Sequence, residues 1–174
     1  VTYEVIAASF FSKQVAIKFE SLGKGLKKLE EELGSSEIGT EEGQDPPQVE
    51  LGPLVDLYTK GKLEEAMAAV KRMLAKYPRS TAVYNIKGAV EMALKDYERA
   101  IESYRKALEI NQGHPDLYYN LGNAQKFKGD VGNAIDSYEK VVKLNPKHFN
   151  AYLNMGIQLR KKGELDRALK SYEK

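Results

Sequence analysis

Two asparagines, Asn120 and Asn154, stand 34 residues apart in a chain whose other side chains offer little for catalysis. An asparagine carries both a donor and an acceptor, so a spaced pair can hold the carbonyl and amide of a peptide backbone without reading its side chains. The alternative is that each caps or fits its local helix pair. Asn is a poor interior helix former, and one reason or the other must account for it. Catalytic material is scarce. The chain has no Cys, which removes disulfides, thiolate zinc sites and a cysteine nucleophile. His114 and His148 are the only histidines and are themselves 34 apart, leaving little for a metal site or a triad. No Gly-rich phosphate loop, Gly-x-Ser-x-Gly elbow or metal-spaced His pair occurs. Carboxylates such as Glu64, Glu98 and Asp136 take ordinary helical surface positions, often with Lys or Arg at helical spacing, and read as solvated faces. The expectation is a non-enzyme, without metal or cofactor, whose chemistry is binding.

The elements that would position such residues must be built from 174 residues, enough for one domain with an appendage. Hydrophobic residues make up 42% and charged residues 30%, a globular balance with no apolar run of about 18 residues, so no membrane insertion is expected. A net charge of +2 gives no general drive toward nucleic acid. Charge is nevertheless uneven along the chain. Residues 1–28 carry +3, residues 29–59 carry −9 with no Lys or Arg, and residues 60–174 carry +8. The acidic block overlaps a Gly, Ser and Pro-rich stretch, 34–46, which reads as a solvated linker rather than a tether folded onto the basic region. Before it, Val15, Phe19, Leu22, Leu26, Leu29 and Leu33 form a heptad seam. That predicts an N-terminal amphipathic helix within 1–33, of coiled-coil type, weakened by Gly23 and Gly25.

From about residue 47 the chain repeats. Ala66, Ala100, Ala134 and Ala168 are each 34 apart; so are Tyr84, Tyr118 and Tyr152; so are Gly88, Gly122 and Gly156; so are Tyr104, Tyr138 and Tyr172. Gly61, Gly129 and Gly163 hold a further rung, with Lys95 in the gap, and Pro78 and Pro146 stand two periods apart. Apolar spacing within each unit is helical. The Gly falls where a first helix must end left-handed, and the Pro falls where a second helix must stop. Each period is therefore helix, tight turn, helix, and since no unit can bury its own face, units must stack.

A helix pair of this length, with Leu121-Gly122, Gly129-Asp130, Ala134, Tyr138 and Asn145-Pro146 at these offsets, resembles the tetratricopeptide repeat. The resemblance covers residues 47–174 as units 47–80 (degenerate, with Pro53-Leu54 in place of Leu-Gly and Val70 on the Tyr rung), 81–114, 115–148 and 149–174 (truncated). It implies an all-α fold, a right-handed superhelix of helix-turn-helix units, whose first helices line a concave groove where ligands bind. On this alignment the exposed inner positions hold Asn85, Tyr119, Asn120, Asn123, Lys126, Phe127, Asn154, Arg160 and Lys161. Asn120 and Asn154 are similar to the asparagine ladder in the repeat domain of O-linked N-acetylglucosamine transferase. Asn123 and Asn154 also match the asparagines of a co-chaperone carboxylate clamp, but Tyr119 stands where its first Lys belongs, and the match is incomplete. Lys126, Arg160 and Lys161 make this end of the groove positive and favour an acidic ligand. Lys87, where Leu is usual, is expected to snorkel its stem over the core.

The function expected is a protein-interaction scaffold of the cytoplasm, binding a peptide or protein segment in the groove. The alternative is a targeting module cut from a larger enzyme such as a glycosyltransferase, sulfotransferase or hydroxylase, since Lys174 falls inside the second helix of its unit. The seam of 12–33 and the face around Leu165, Leu169 and Tyr172 favour self-association as a homo-oligomer over an intramolecular cap.

Overall fold

The computed structural model describes residues 45–174, so the expected N-terminal helix, its role in self-association and nearly all of the linker lie outside the described residues. Among those residues every regular element is helical: α1 (Gln48–Thr59), α2 (Leu63–Lys76), α3 (Thr81–Ala93), α4 (Tyr97–Ile110), α5 (Pro115–Lys128), α6 (Val131–Leu144), α7 (Phe149–Lys162) and α8 (Leu165–Tyr172). The period read from the sequence thus becomes four helix pairs, an all-α solenoid in which odd-numbered helices come first in each unit. None of these helices is long and apolar enough to cross a membrane.

The turns obey the glycine rung. Gly129 ends α5 at φ 88° and Gly163 ends α7 at φ 86°, while Gly61 has φ 72° after α1. Immediately after the turn, Asp96 and Asp130, one period apart, accept the backbone N–H of Arg99 and Asn133 and start the second helices. Lys95 occupies the missing rung and is forced to φ 62°. A left-handed L-residue costs about 1–2 kcal/mol, part of which a glycine returns through its looser unfolded chain. Lys95→Gly is therefore expected to raise stability by about 1 kcal/mol, measured by urea denaturation. A lower midpoint would show that the backbone at Lys95 is relaxed. At the start of the array, Asp45 accepts from Ser80 Oγ at 2.6 Å and from the backbone N–H of Ala82 at 2.9 Å, so this residue, assigned to the linker by its composition, caps α3.

Glycine and tyrosine rungs meet inside each unit. A Cβ placed on Gly88, Gly122 or Gly156 would lie 2.6, 2.8 or 2.4 Å from the ring of Tyr104, Tyr138 or Tyr172 respectively. Two of the rings also meet the next unit: Tyr104 clusters with Leu117 and Leu121, and Tyr138 with Ala151 and Met155, whereas Tyr172 is exposed. Each core is closed by its neighbour, which is the physical content of stacking. The first unit solves the same problem with the sizes exchanged. Leu54 stands on the glycine rung, 1% exposed, and Val70 on the tyrosine rung, 0% exposed. α1 also carries Asp56, well exposed, where the later first helices bury Val90 and Ala124.

Lys87 does not send its head into water. Its ammonium lies 2.6 Å from Glu91 Oε1 and 2.8 Å from Ser103 Oγ, and Ser103 donates to Glu91 Oε2 at 2.5 Å. The reason is Glu91, one helical turn away and buried, which would otherwise be an unpaired carboxylate. In the next unit the same three positions hold Leu121, Gln125 and Ser137, and the charge pair becomes a neutral bond from Ser137 Oγ to Gln125 Oε1 at 2.6 Å.

Candidate binding groove

Repetition places α3, α5 and α7 side by side, so residues one period apart form rows across them. The row made by Asn120 and Asn154 is hydrogen-bonded to the unit before. Asn120 Nδ2 donates to Asn85 Oδ1 at 2.9 Å, and Asn154 Nδ2 donates to the Tyr119 hydroxyl at 3.1 Å; each bond joins residues 35 apart in sequence. Both asparagines are half-buried. Asn154 also donates to Asn123 Oδ1 at 3.5 Å and accepts from Lys126 Nζ at 3.3 Å, so its amide is a hub between the third and fourth units. Asn120 Oδ1 accepts no bond among the described residues and is the open acceptor of the row.

Asn123 differs from its sequence expectation. It is 8% exposed rather than a surface position, because its side-chain carbonyl accepts the hydroxyl of Tyr138 at 2.8 Å and is drawn into the core. Burial, and secondarily Tyr119, hold the Tyr138 hydroxyl far above the usual phenol range, so it remains a donor at physiological pH. Burial likewise raises the pKa of the Tyr119 hydroxyl, partly offset by its bonds to Asn123 and Asn154. The Tyr119 ring leans on Tyr138, 5.9 Å between centroids, and on His148 at 4.7 Å. His148 in turn caps α7, its Nδ1 accepting the Ala151 N–H at 3.1 Å. Direct bonds thus form two groups, Asn85 with Asn120 and Tyr119 with Asn123 and Asn154.

The remaining candidates lie toward the C-terminal ends of α5 and α7. Phe127 is 57% exposed and stacks on Tyr97 of α4, centroids 5.7 Å apart and planes 18° off parallel. Lys126 is half-buried with its ammonium 5.0 Å over the Phe127 ring. Arg160 and Lys161 are exposed in the last turn of α7, where cations also complement the helix dipole. Burial, and next the charge of Lys161, lower the pKa of Lys126. One buried polar residue was not anticipated from the sequence. Gln158 is 1% exposed, and neither atom of its amide has a partner among the described residues, although the equivalent buried positions are Val90 and Ala124. Among the described residues no three His, Asp or Glu side chains gather as a metal site.

Family comparisons agree with the repeat architecture. Tetratricopeptide repeat models match residues 115–148 and 137–170, and a TPR repeat model matches residues 88–129. A stretch of 81 residues is 31% identical to the probable biofilm formation methyltransferase WspC of Pseudomonas putida, covering 47% of this chain and only 19% of that protein. Among solved structures, MamA superposes with a TM-score of 0.69 at 22% identity, over 92% of this chain and 88% of its own. YrrB, a TPR protein with an unusual peptide-binding site, gives 0.64 at 25% identity over 70% and 63% of the two chains. The second TPR domain of human RPAP3, in complex with the HSP70 peptide SGPTIEEVD, gives 0.60 at 19% identity over 63% and 91%. With its 34-residue ladders, its glycine turns and these matches, the chain belongs to the tetratricopeptide repeat family.

Proposed function

We propose that the chain is a protein-interaction scaffold that holds an extended peptide or protein segment against the concave face made by α3, α5 and α7. The observation that carries this reading is the bonded row of amides, Asn85 to Asn120 and Tyr119 to Asn154, which fixes polar groups in one repeating register along three helices. Fixed amides are suited to backbone recognition because their orientation is set before the ligand arrives. YrrB and the RPAP3 domain, similar in fold, supply precedent for a peptide as ligand. Lys126, Arg160 and Lys161 favour an acidic one. A second reading, an interaction module carried within a longer protein, is favoured by the match to a fifth or less of a methyltransferase; it changes the context of the groove and not its chemistry.

The reading is tested by panning a random linear peptide library on the full chain and comparing the enriched peptides on an Asn120→Ala, Asn154→Ala double variant. Each hydrogen bond lost to the ligand should cost about 0.5–1.5 kcal/mol of binding. Because Asn154 also bridges two units, some loss of stability is expected as well, so binding is compared at a temperature where both proteins are folded. Enriched peptides that bind the double variant equally well would remove the amide row from the site.

A further inference from the structure

Two lysines of the array are half-buried, and they are treated differently. Lys87 faces the carboxylate of Glu91 at 2.6 Å. Lys126 faces only a neutral carbonyl, Asn154 Oδ1, at 3.3 Å, and the face of Phe127; no carboxylate lies within ion-pair distance of it among the described residues. A cation taken partly out of water without a counter-charge is costly. Lys161, the other charge acting on it, has the same sign and adds to the cost. Compensation of the helix dipole does not explain the arrangement. That role is filled by exposed last-turn lysines that also have acids beside them, Lys128 with Glu98 at 3.3 Å and Lys162 with Glu164 at 2.8 Å. Arg160 and Lys161 are exposed and, like Lys126, lack a carboxylate partner among the described residues. The Asn154 amide, meanwhile, is held in place from its nitrogen side by Tyr119 and Asn123, so its carbonyl keeps its direction whether or not Lys126 is bound to it.

We propose that Lys126, with Arg160 and Lys161, forms a subsite for an acidic side chain of the segment in the groove, and that filling it draws Lys126 off Asn154 and frees that carbonyl to accept a backbone N–H of the same ligand. This rests on the groove reading and adds to it a coupling: the acid licenses a backbone bond that a neutral ligand does not obtain. The subsite uses a lysine and carbonyl in different units, so it forms only when the third and fourth units are docked.

The probe is acetyl-Glu-Glu-Glu-amide titrated into the isotope-labelled full chain by NMR at constant ionic strength, with acetyl-Gln-Gln-Gln-amide and potassium phosphate as controls. The expected result is a saturable shift of both the Lys126 side-chain signals and the Asn154 side-chain amide, about tenfold weaker for the Gln peptide. The Asn154 response should vanish in Lys126→Met, and Lys161→Gln, an exposed change, should weaken binding without altering the fold. Equal shifts with phosphate would mean a general cationic patch, and unmoved Lys126 and Asn154 signals would mean no subsite; either overturns the proposal. Failure here with library peptides still dependent on Asn120 and Asn154 leaves the groove standing. Success here with library peptides bound elsewhere removes the groove reading and keeps the acid site.

Discussion

Gly122→Leu is expected to destabilise the chain by about 3 kcal/mol, the upper end of the usual overpacking range. A Cβ alone would already stand 2.8 Å from the Tyr138 ring, and the ring cannot retreat because its hydroxyl is bonded to buried Asn123 and its far side meets the fourth unit. The first unit shows how the strain can be relieved, since Leu54 on the glycine rung is matched there by Val70 on the tyrosine rung. Adding Tyr138→Val to Gly122→Leu should therefore return much of the loss, a coupling of about 1–3 kcal/mol in a double-mutant cycle. Recovery is incomplete because Asn123 loses its donor. Gly132, with nothing within 4 Å of its would-be Cβ and no positive φ, is the control, and Ala there should be neutral or stabilising. Denaturation midpoints decide the matter; additive losses in the double variant would show that the two rungs do not share one space.

The second large effect lies at Lys87. Lys87→Met should cost about 3 kcal/mol, because Glu91 is left as a buried carboxylate with only the Ser103 hydroxyl. The third unit again contains the remedy, since Leu121, Gln125 and Ser137 fill the same positions with a neutral bond. Lys87→Leu combined with Glu91→Gln is expected to come within about 1 kcal/mol of the parent chain or to exceed it, as exchanges of buried ion pairs for fitted neutral groups often do. A double variant as unstable as the single one would mean that the charges, rather than an uncompensated charge, hold this unit together.

Both experiments transplant one unit's solution into another, and this reflects what the sequence makes legible. Features repeated every 34 residues were readable before any coordinates: Ala66, Ala100, Ala134 and Ala168 are all buried, and Gly61, Gly129 and Gly163 are all left-handed. Features belonging to one unit were not. The Lys87 and Glu91 pair carries a local signal, opposite charges four residues apart at positions where another unit has Leu121 and Gln125, and comparing units would have found it. The burial of Asn123 depends on a hydroxyl 15 residues away, and the bond from Lys126 to Asn154 crosses 28 residues between units, so neither follows from the helix period. Gln158 is no easier to read: its rung holds exposed Asp56 and buried Val90 and Ala124, so the sequence pattern does not say whether a polar residue there is solvated or buried. Its unpaired amide costs about 1–3 kcal/mol.

The central claim is that partners bind the face of the first helices rather than the outer face. The absence of cysteine allows this to be measured without altering other residues first. Asn85→Cys places a single thiol on the α3 side of the amide row, and Asp136→Cys places one on the exposed face of α6. Each is coupled to a bulky maleimide, and affinity is measured for a peptide enriched on the parent chain. Labelling at residue 85 is predicted to abolish binding while labelling at residue 136 leaves it unchanged; loss of binding from residue 136 alone would contradict the account.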